Sequence, residues 1–294
     1  FNKLYHYFDS NQLLSDKQSG FRPGDSTTNQ LLFLVNELHK AFEDLKCLEV
    51  RAVFLDISKA FDKVWHEGLL FKLKQNGISG NLLSFFRSYL SNSQQCVVLN
   101  GFDSDKREIK SGVPQGSVLR PLLFLIYIND LKRNIKSNIN FFADDTMLYS
   151  IVNDPLMSAH DLNHDLTLIS HWAYQWKMEF NPDPSKQAVE IIFSCKKTTT
   201  MHPPILFNDR IVSKSTEHKH LGLTLQSNLC FDKHLNDKII KAKKNVNVLK
   251  NISPYLPIKA LDQFYKAHII RSYLDYCDFI YHIPLSQYIL GLTL

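Results

Sequence analysis

The sequence predicts an α+β fold in which a sheet is interleaved with helices. Apolar residues recur at helical spacing in some segments and as short buried runs in others. Two of the short runs end on acid: Phe54-Leu55-Asp56-Ile57 and Phe141-Phe142-Ala143-Asp144-Asp145. The composition, 44% apolar and 21% charged over 294 residues, is that of a folded chain with apolar surface for one large domain or two smaller ones.

In chain order, the first 28 residues read as loop-rich, punctuated by Gly20, Pro23 and Gly24. Leu31, Leu34, Val35, Leu38, Ala41, Phe42 and Leu45 at three-to-four spacing predict a helix, with Thr28 or Asn29 as its cap. Arg51 to Ile57 predicts a buried strand that ends at Asp56. Helical patterns follow over about residues 66–75 and 81–90, then a strand over 94–100. Gly112-Val113-Pro114-Gln115-Gly116-Ser117 opens an apolar helix over about 118–131. Residues 138–150 predict two short strands around an acidic turn. A long helix (156–178), a strand (189–193), a hairpin turning at Asn208-Asp209 and a strand (221–225) come next. From Asp232 onward the pattern is helical and basic, and a boundary near Ser227-Asn228 separates residues 1–227 from 228–294.

The net charge of +5 is unevenly spread: between Asp232 and Arg271 nine Lys or Arg stand against three Asp, and the remainder is near neutral. Such a segment suits a polyanionic partner, and equally the solvated face of a helix. Five well-separated cysteines argue against a disulfide framework or zinc knuckle and fit an intracellular, reducing compartment, cytoplasm or nucleus. No run approaches the ~18 apolar residues of a membrane span, so no membrane partner is expected. The chain begins at Phe1, without a signal-peptide pattern, and reads as a fragment lacking an upstream part.

The carboxylates need explaining. A charge beside a buried apolar run is unfavourable unless paired or bound to a cation, and several that converge repel one another. Two divalent cations about 3.5–4 Å apart remove that repulsion and are suited to phosphoryl transfer, one activating the attacking hydroxyl and the other steadying the leaving oxygen. Oxygen ligands favour Mg²⁺, with Mn²⁺ as a substitute. Asp56 at a strand end and Asp144 in a turn would face each other across neighbouring strands. Asp145 would point elsewhere and touch metal only indirectly. Singly, such residues are more often turn or cap residues; the motifs around them change the balance.

Those motifs resemble the reverse transcriptases of non-long-terminal-repeat, LINE-type retrotransposons. The matching pieces are Gln18 to Gly24 with Ser26-Thr27, Phe54 to Val64 with His66, Ser111 to Leu119, Phe142 to Thr146, Asn181 with Lys186, and His220-Leu221-Gly222, in the family's order. Group II intron maturases and telomerase-like proteins share the catalytic fold, but the Phe-Ala-Asp-Asp-Thr and Pro-Gln-Gly-Ser forms lean toward mobile elements. The resemblance implies a right-hand polymerase: partial fingers, a palm with an antiparallel sheet and an Asp-Asp hairpin, and a helical thumb over 228–294. It implies an RNA template, a DNA primer and dNTPs as partners, and Mg²⁺ held by Asp56, Asp144, Asp145 and the carbonyl of Ile57. Lys186 would sit near the triphosphate and aid proton transfer. Phe61 would be the steric gate against a 2′-hydroxyl, and Gln115 and Gly116 would pack on the incoming nucleotide. Lys238, Lys241, Lys243 and Lys244 would track the phosphates of the hybrid duplex. Arg22 and Asp62 match family positions but read as structural, Asp62 holding a helix start or a nearby basic group.

Three departures motivate a second reading, an inactive remnant that binds RNA or hybrid duplex without copying it. The chain starts late in the pattern, Arg120 stands where the family usually has Gly and would disturb packing, and residues 283–294 leave the expected thumb pattern. His160 and His164 have metal-binding spacing but no clear third ligand. Trp172 and Trp176, also four apart, read as packing residues rather than a base-stacking platform.

Overall fold

The structure, a computed structural model, describes residues 1–43, 48–91, 93–196 and 200–281. Its first element, α1 (Asn2–Ser10), lies where the sequence reads as loop: one buried residue, Phe8, with Leu4 and Tyr5 against the core, is too short a pattern to announce a helix. α2 (Thr27–Glu43) buries the spaced apolar residues up to Phe42, while the expected Leu45 lies outside the described residues. Its cap is Ser26, whose Oγ accepts the Asn29 N–H at 3.1 Å, in place of Thr28 or Asn29.

Strand β1 (Glu49–Leu55) is buried throughout. A short turn at Ala60–Asp62 leads to α3 (His66–Gln75) and α4 (Gly80–Leu90). The strand expected over 94–100 is a ribbon of short pairs, β2 (Gln94–Gln95) with β5 (Arg107–Glu108) and β3 (Val98–Leu99) with β4 (Phe102–Asp103). All of these strand residues are exposed, so no core pins a longer register. The apolar α5 (Arg120–Ile128) precedes β6 (Asn138–Phe142) and β7 (Asp145–Val152). α6 (Pro155–Gln175) is capped by Asp154, which accepts the N–H groups of Leu156 and Met157. The short α7 (Pro184–Gln187) runs into β8 (Ala188–Phe193). Next come β9 (Leu206–Phe207) and β10 (Arg210–Ile211), joined through Asn208 and Asp209 at φ +50° and +59°, and β11 (Ser213–Lys214). The strand expected over 221–225 starts later, because Leu221 and Gly222, at φ +47° and +86°, make the turn between β12 (Glu217–His220) and β13 (Leu223–Gln226). α8 (Asp232–Ile252), α9 (Ile258–Tyr265) and a wider helical stretch over Lys266–Leu274 complete the described chain.

The main sheet has the order β11-β8-β1-β7-β6, antiparallel except that β11 runs parallel to β8 at the edge. Its two faces bury two cores. Val53, Leu55 and Leu148 pack with α3, α5 and α6. Ala52, Phe54, Met147 and Ile191 pack with α2, and with Leu223 and Leu225 of β13. Leu229 and Phe231 belong to this second core, so packing crosses the expected boundary at residue 227.

Beneath the first face, Lys72 of α3 is almost fully buried. It donates to the Tyr127 carbonyl and to Asp130, and its ammonium lies 3.7 Å from the Trp176 ring centroid and 5.1 Å from that of Trp172. Both tryptophans are buried packing residues. Cys195 is disulfide-bonded, against the expectation from cysteine spacing, while Cys96 and Cys277 are free thiols.

Candidate active site

β1 and β7 pair in a register that runs from Glu49 opposite Val152 to Leu55 opposite Thr146. One step further, the register sets Asp56 opposite Asp145. Residues directly opposite in an antiparallel pair project to the same face, and like charges there destabilise the pair. The shared face is that of Phe54 and Met147. Asp145 therefore shares a face with Asp56, against the expectation that it points elsewhere, and Asp144 sits in the turn.

That turn is tightly supported. Ala143 has φ +56°, a conformation disfavoured for a residue with a Cβ. The side-chain amide of Gln18 grips it from both sides: Oε1 accepts the Ala143 N–H at 2.9 Å and Nε2 donates to its carbonyl at 3.2 Å. Gly20 approaches so closely that a Cβ there would lie 2.2 Å from the Ala143 nitrogen. Asp56 is fixed from another segment: Asn181 Nδ2 donates to its Oδ2 at 2.7 Å, and the Asn181 N–H to its carbonyl at 2.9 Å. Ile57 is buried and bridged to Phe180.

Burial, then the Asp144 and Asp56 charges, push the Asp145 carboxyl up to about 6. Asp144 is raised as well, by burial and by Asp56. The three acids thus feel one another, although among the described residues no three His, Cys, Asp or Glu side chains converge on a single point as a finished metal cage. Their donors are carboxylate oxygens, the chemistry that suits a hard divalent cation.

Asp56 and Asp145 line a cavity of about 400 Å³ together with Thr146, Lys186 and the β12 residues His218, Lys219 and His220. Lys186, anchored by Asp183 at 3.4 Å, is thereby brought to the acids. The two histidines escaped the sequence reading as site residues. His218 stacks on Phe54 at 4.4 Å between ring centroids, and His220 lies at 5.1 Å. Burial keeps the His220 imidazole neutral, its pKa pushed down to about 3. The signal was their spacing: residues two apart on a strand share a face.

Phe61 and the Gln115 loop lie elsewhere. Phe61 stacks on Phe124 at 4.2 Å, and Gln115 lines a separate polar cavity of about 490 Å³ with Lys59, His66 and Lys110. The two segments are latched, since Val113 N–H donates to the Phe61 carbonyl at 3.0 Å and Gly112 N–H to that of Val64 at 2.8 Å. Gly116, at φ +79°, is an exposed turn residue. Arg22 is structural, paired with Asp9 at 2.7 Å and bonded to the Ser15 carbonyl at 2.8 Å. Arg120 does not break the packing: it pairs with Asp62 at 3.1 Å. On α8, Lys241, Lys243 and Lys244 are exposed, while the Lys238 ammonium rests 5.1 Å from the Tyr276 ring centroid. Lys238, Lys241 and Lys244 follow one another at three-residue spacing along a face, and Lys243 lies off that row.

Residues 1–225 match the family described as reverse transcriptase (RNA-dependent DNA polymerase). The chain belongs to that family. Among its reverse transcriptase relatives is the probable RNA-directed DNA polymerase from transposon BS of Drosophila melanogaster, 32% identical over 80% of this chain and 26% of the relative. Another is the RNA-directed DNA polymerase from mobile element jockey of the same fly, 30% identical over 95% of this chain and 30% of the relative. The chain thus spans between a quarter and a third of the length of these two proteins. The resemblance to retrotransposon reverse transcriptases, stated above from the motifs, is met. Among solved structures, apo telomerase from Candida tropicalis truncated from its C-terminal domain superposes with TM-score 0.54 and 14% identity, over 79% of this chain and 44% of that one. Telomerase of the same yeast with a fragment of telomeric RNA gives TM-score 0.51 and 14% identity, over 97% and 47%. At such identity the likeness is one of fold, and it supports a polymerase fold of mixed α and β content.

Proposed function

We propose that this chain is the catalytic core of an RNA-directed DNA polymerase that extends a DNA primer on an RNA template, and that Asp56, Asp144 and Asp145 hold two Mg²⁺ ions. The observation that carries the reading is the register of β1 and β7, which brings Asp56 and Asp145 to opposite positions on one face. Like charges opposed there repel one another, and divalent cations between them would relieve that repulsion. The main sheet is then the palm, the segments before and around α3 and α4 are the fingers side, and residues 228–294 are the thumb.

The carboxylates and the Ile57 carbonyl are the ligand set. When bound, the ions activate the primer 3′-hydroxyl and stabilise charge on the α-phosphate and leaving pyrophosphate. Asn181 keeps Asp56 in its rotamer, and Gln18 keeps the turn that carries Asp144. Lys186, on the rim of the same cavity, is suited to meet the triphosphate and to give a proton to departing pyrophosphate. Phe61 is the sugar gate, with Gln115 and Gly116 on the nucleotide and template side. Lys238, Lys241, Lys243 and Lys244 hold the duplex by its phosphates, which suits recognition of a hybrid by shape rather than sequence.

The test is primer extension on an RNA template with dNTPs and Mg²⁺. Asp56→Ala and Asp144→Ala are each expected to lower incorporation by about 10³-fold or more, since they remove charge that steadies the transition state. Variants that extend primers as well as the parent would refute the assignment. Parent protein that binds hybrid tightly and incorporates nothing would support the remnant reading instead. The ion pair of Arg120 with Asp62 removes one motive for that reading.

A further inference from the structure

Two residues one turn apart on α5, Arg120 and Phe124, both meet the Phe61 ring. Phe124 stacks on Phe61 with centroids 4.2 Å apart and ring planes 29° apart. The Arg120 guanidinium carbon lies 5.0 Å from the Phe61 ring centroid, and Nη2 pairs with Asp62 Oδ1 at 3.1 Å. Phe21 closes on the ring edge-to-face, with centroids 6.0 Å apart. Arg120 is largely buried at the first turn of α5, whereas Asp62 is mostly exposed. The cation is thus held over the ring by a neighbour of that ring in sequence. A planar cation on an aromatic face is attractive, more so when partly desolvated.

We propose that Arg120 is a positioning residue that sets sugar selectivity by clamping Phe61 through its guanidinium, which Asp62 holds over the ring. The inference rests on the reading of Phe61 as the sugar gate. A steric gate discriminates only as far as its ring is immobile: a phenyl that can swing by an ångström admits the extra hydroxyl. Gly at position 120 would remove the guanidinium contact from the Phe61 ring. The Asp62–Arg120 pair closes the clamp across two segments, and the Gly112–Val113 latch ties the same turn to the loop that carries Gln115.

The experiment measures dATP and ATP affinity on the parent chain bound to an RNA template with a dideoxy-terminated DNA primer, so that no turnover is needed. The variants are Phe61→Ala, Arg120→Gly, Arg120→Lys and Asp62→Asn, with melting curves to certify folding. Phe61→Ala is expected to lower the preference for dATP by about 10²-fold. Arg120→Gly is expected to lower it by about tenfold, with Arg120→Lys intermediate, because Lys keeps the charge without the planar stack. Asp62→Asn serves as the second variant, expected to act in the same direction should Arg120→Gly fail to fold. If Phe61→Ala relaxes selectivity and the folded Arg120 or Asp62 variants do not, the clamp is refuted and the gate stands. If the parent does not prefer dATP, or Phe61→Ala changes nothing, the gate reading fails and the clamp with it. Equal weakening of both nucleotides by Arg120→Gly would make Arg120 a triphosphate contact and also overturn the proposal.

Discussion

Replacing Lys72 by Met isolates a buried charge, and the structure sets both the sign and the size of the effect. Lys72 is almost fully buried, and burial pulls its pKa from 10.5 down to about 8, against the pull of Asp130 in the other direction. A folded-state pKa below the unfolded value means that between pH 8 and 10.5 the unfolded chain binds the proton and the folded chain does not. Parent stability therefore rises with pH across that window, and below pH 8 the whole burial penalty is present. From pH 7 to pH 10 the rise from this one group is about 2–3 kcal/mol. Met fills the same apolar slot between Trp172 and Trp176 without a charge, so the variant lacks that rise. Its stability at pH 7 is a closer balance. Relief from burying the ammonium is offset by loss of its hydrogen bond to the Tyr127 carbonyl and of the cation–π attraction, each worth about 1–2 kcal/mol. Asp130 is not stranded, because Trp172 Nε1 also donates to it at 2.7 Å. Urea unfolding of both proteins at pH 7, 8, 9 and 10 gives the difference directly. A parent-minus-variant stability that stays flat or falls with pH would show that Lys72 is not a desolvated cation.

In EDTA, Asp145→Asn is expected to stabilise the fold at pH 7 by about 1 kcal/mol, the figure being discounted because Asp145 is partly exposed. Its folded pKa is raised to about 6, so its contribution is intact below 3.8 and lost as pH rises through 6; the gain should vanish near pH 4, and a gain unchanged at pH 4 refutes the cause. Gly20→Ala should lower nucleotide incorporation by about 10²-fold with circular dichroism unchanged, because the backbone of Ala143 has to move; full activity would show that the Asp-Asp turn tolerates displacement. Alanine at Lys241, Lys243 and Lys244 together should reduce the salt dependence of hybrid binding by about one unit of slope for each phosphate no longer neutralised; an unchanged slope would leave α8 as a solvated helix.

Much of this is legible in the sequence alone, and what is not has physical causes. β1 and the helix over residues 66–75 are readable because their apolar spacing matches the core that they enter. α1 is not, since it buries one residue fully and leans on a surface made by distant segments. The ribbon over residues 94–108 has β-like residues but no core face to fix a register. Asp56 and Asp144-Asp145 stand out because acids follow apolar runs. Their mutual placement does not, because adjacency in sequence hides which of two neighbours shares a face with a third. The pairing of Arg120 with Asp62 is equally out of reach: residues 58 positions apart carry no local pattern that joins them.

Parity is the stronger guide to such a site. Once Leu55 opposes Thr146, the strand period of two assigns Asp56 and Asp145 to the face of Phe54, and no local preference can undo it without a slip that would exchange the residues of β1 between the two cores. The site is thus held by the register of the whole sheet rather than by the turn alone. The turn has its own strain at Ala143, which Gln18 and the close approach of Gly20 contain. Across the cavity, burial keeps His220 uncharged, so it supplies no imidazolium to neutralise the acids. The sheet thus concentrates negative charge at these points, with Lys186 and Lys219 as the cations that line the same cavity. Such a site stores electrostatic energy that an arriving cation releases, and for that reason metal binding and fold stability should rise together in this protein.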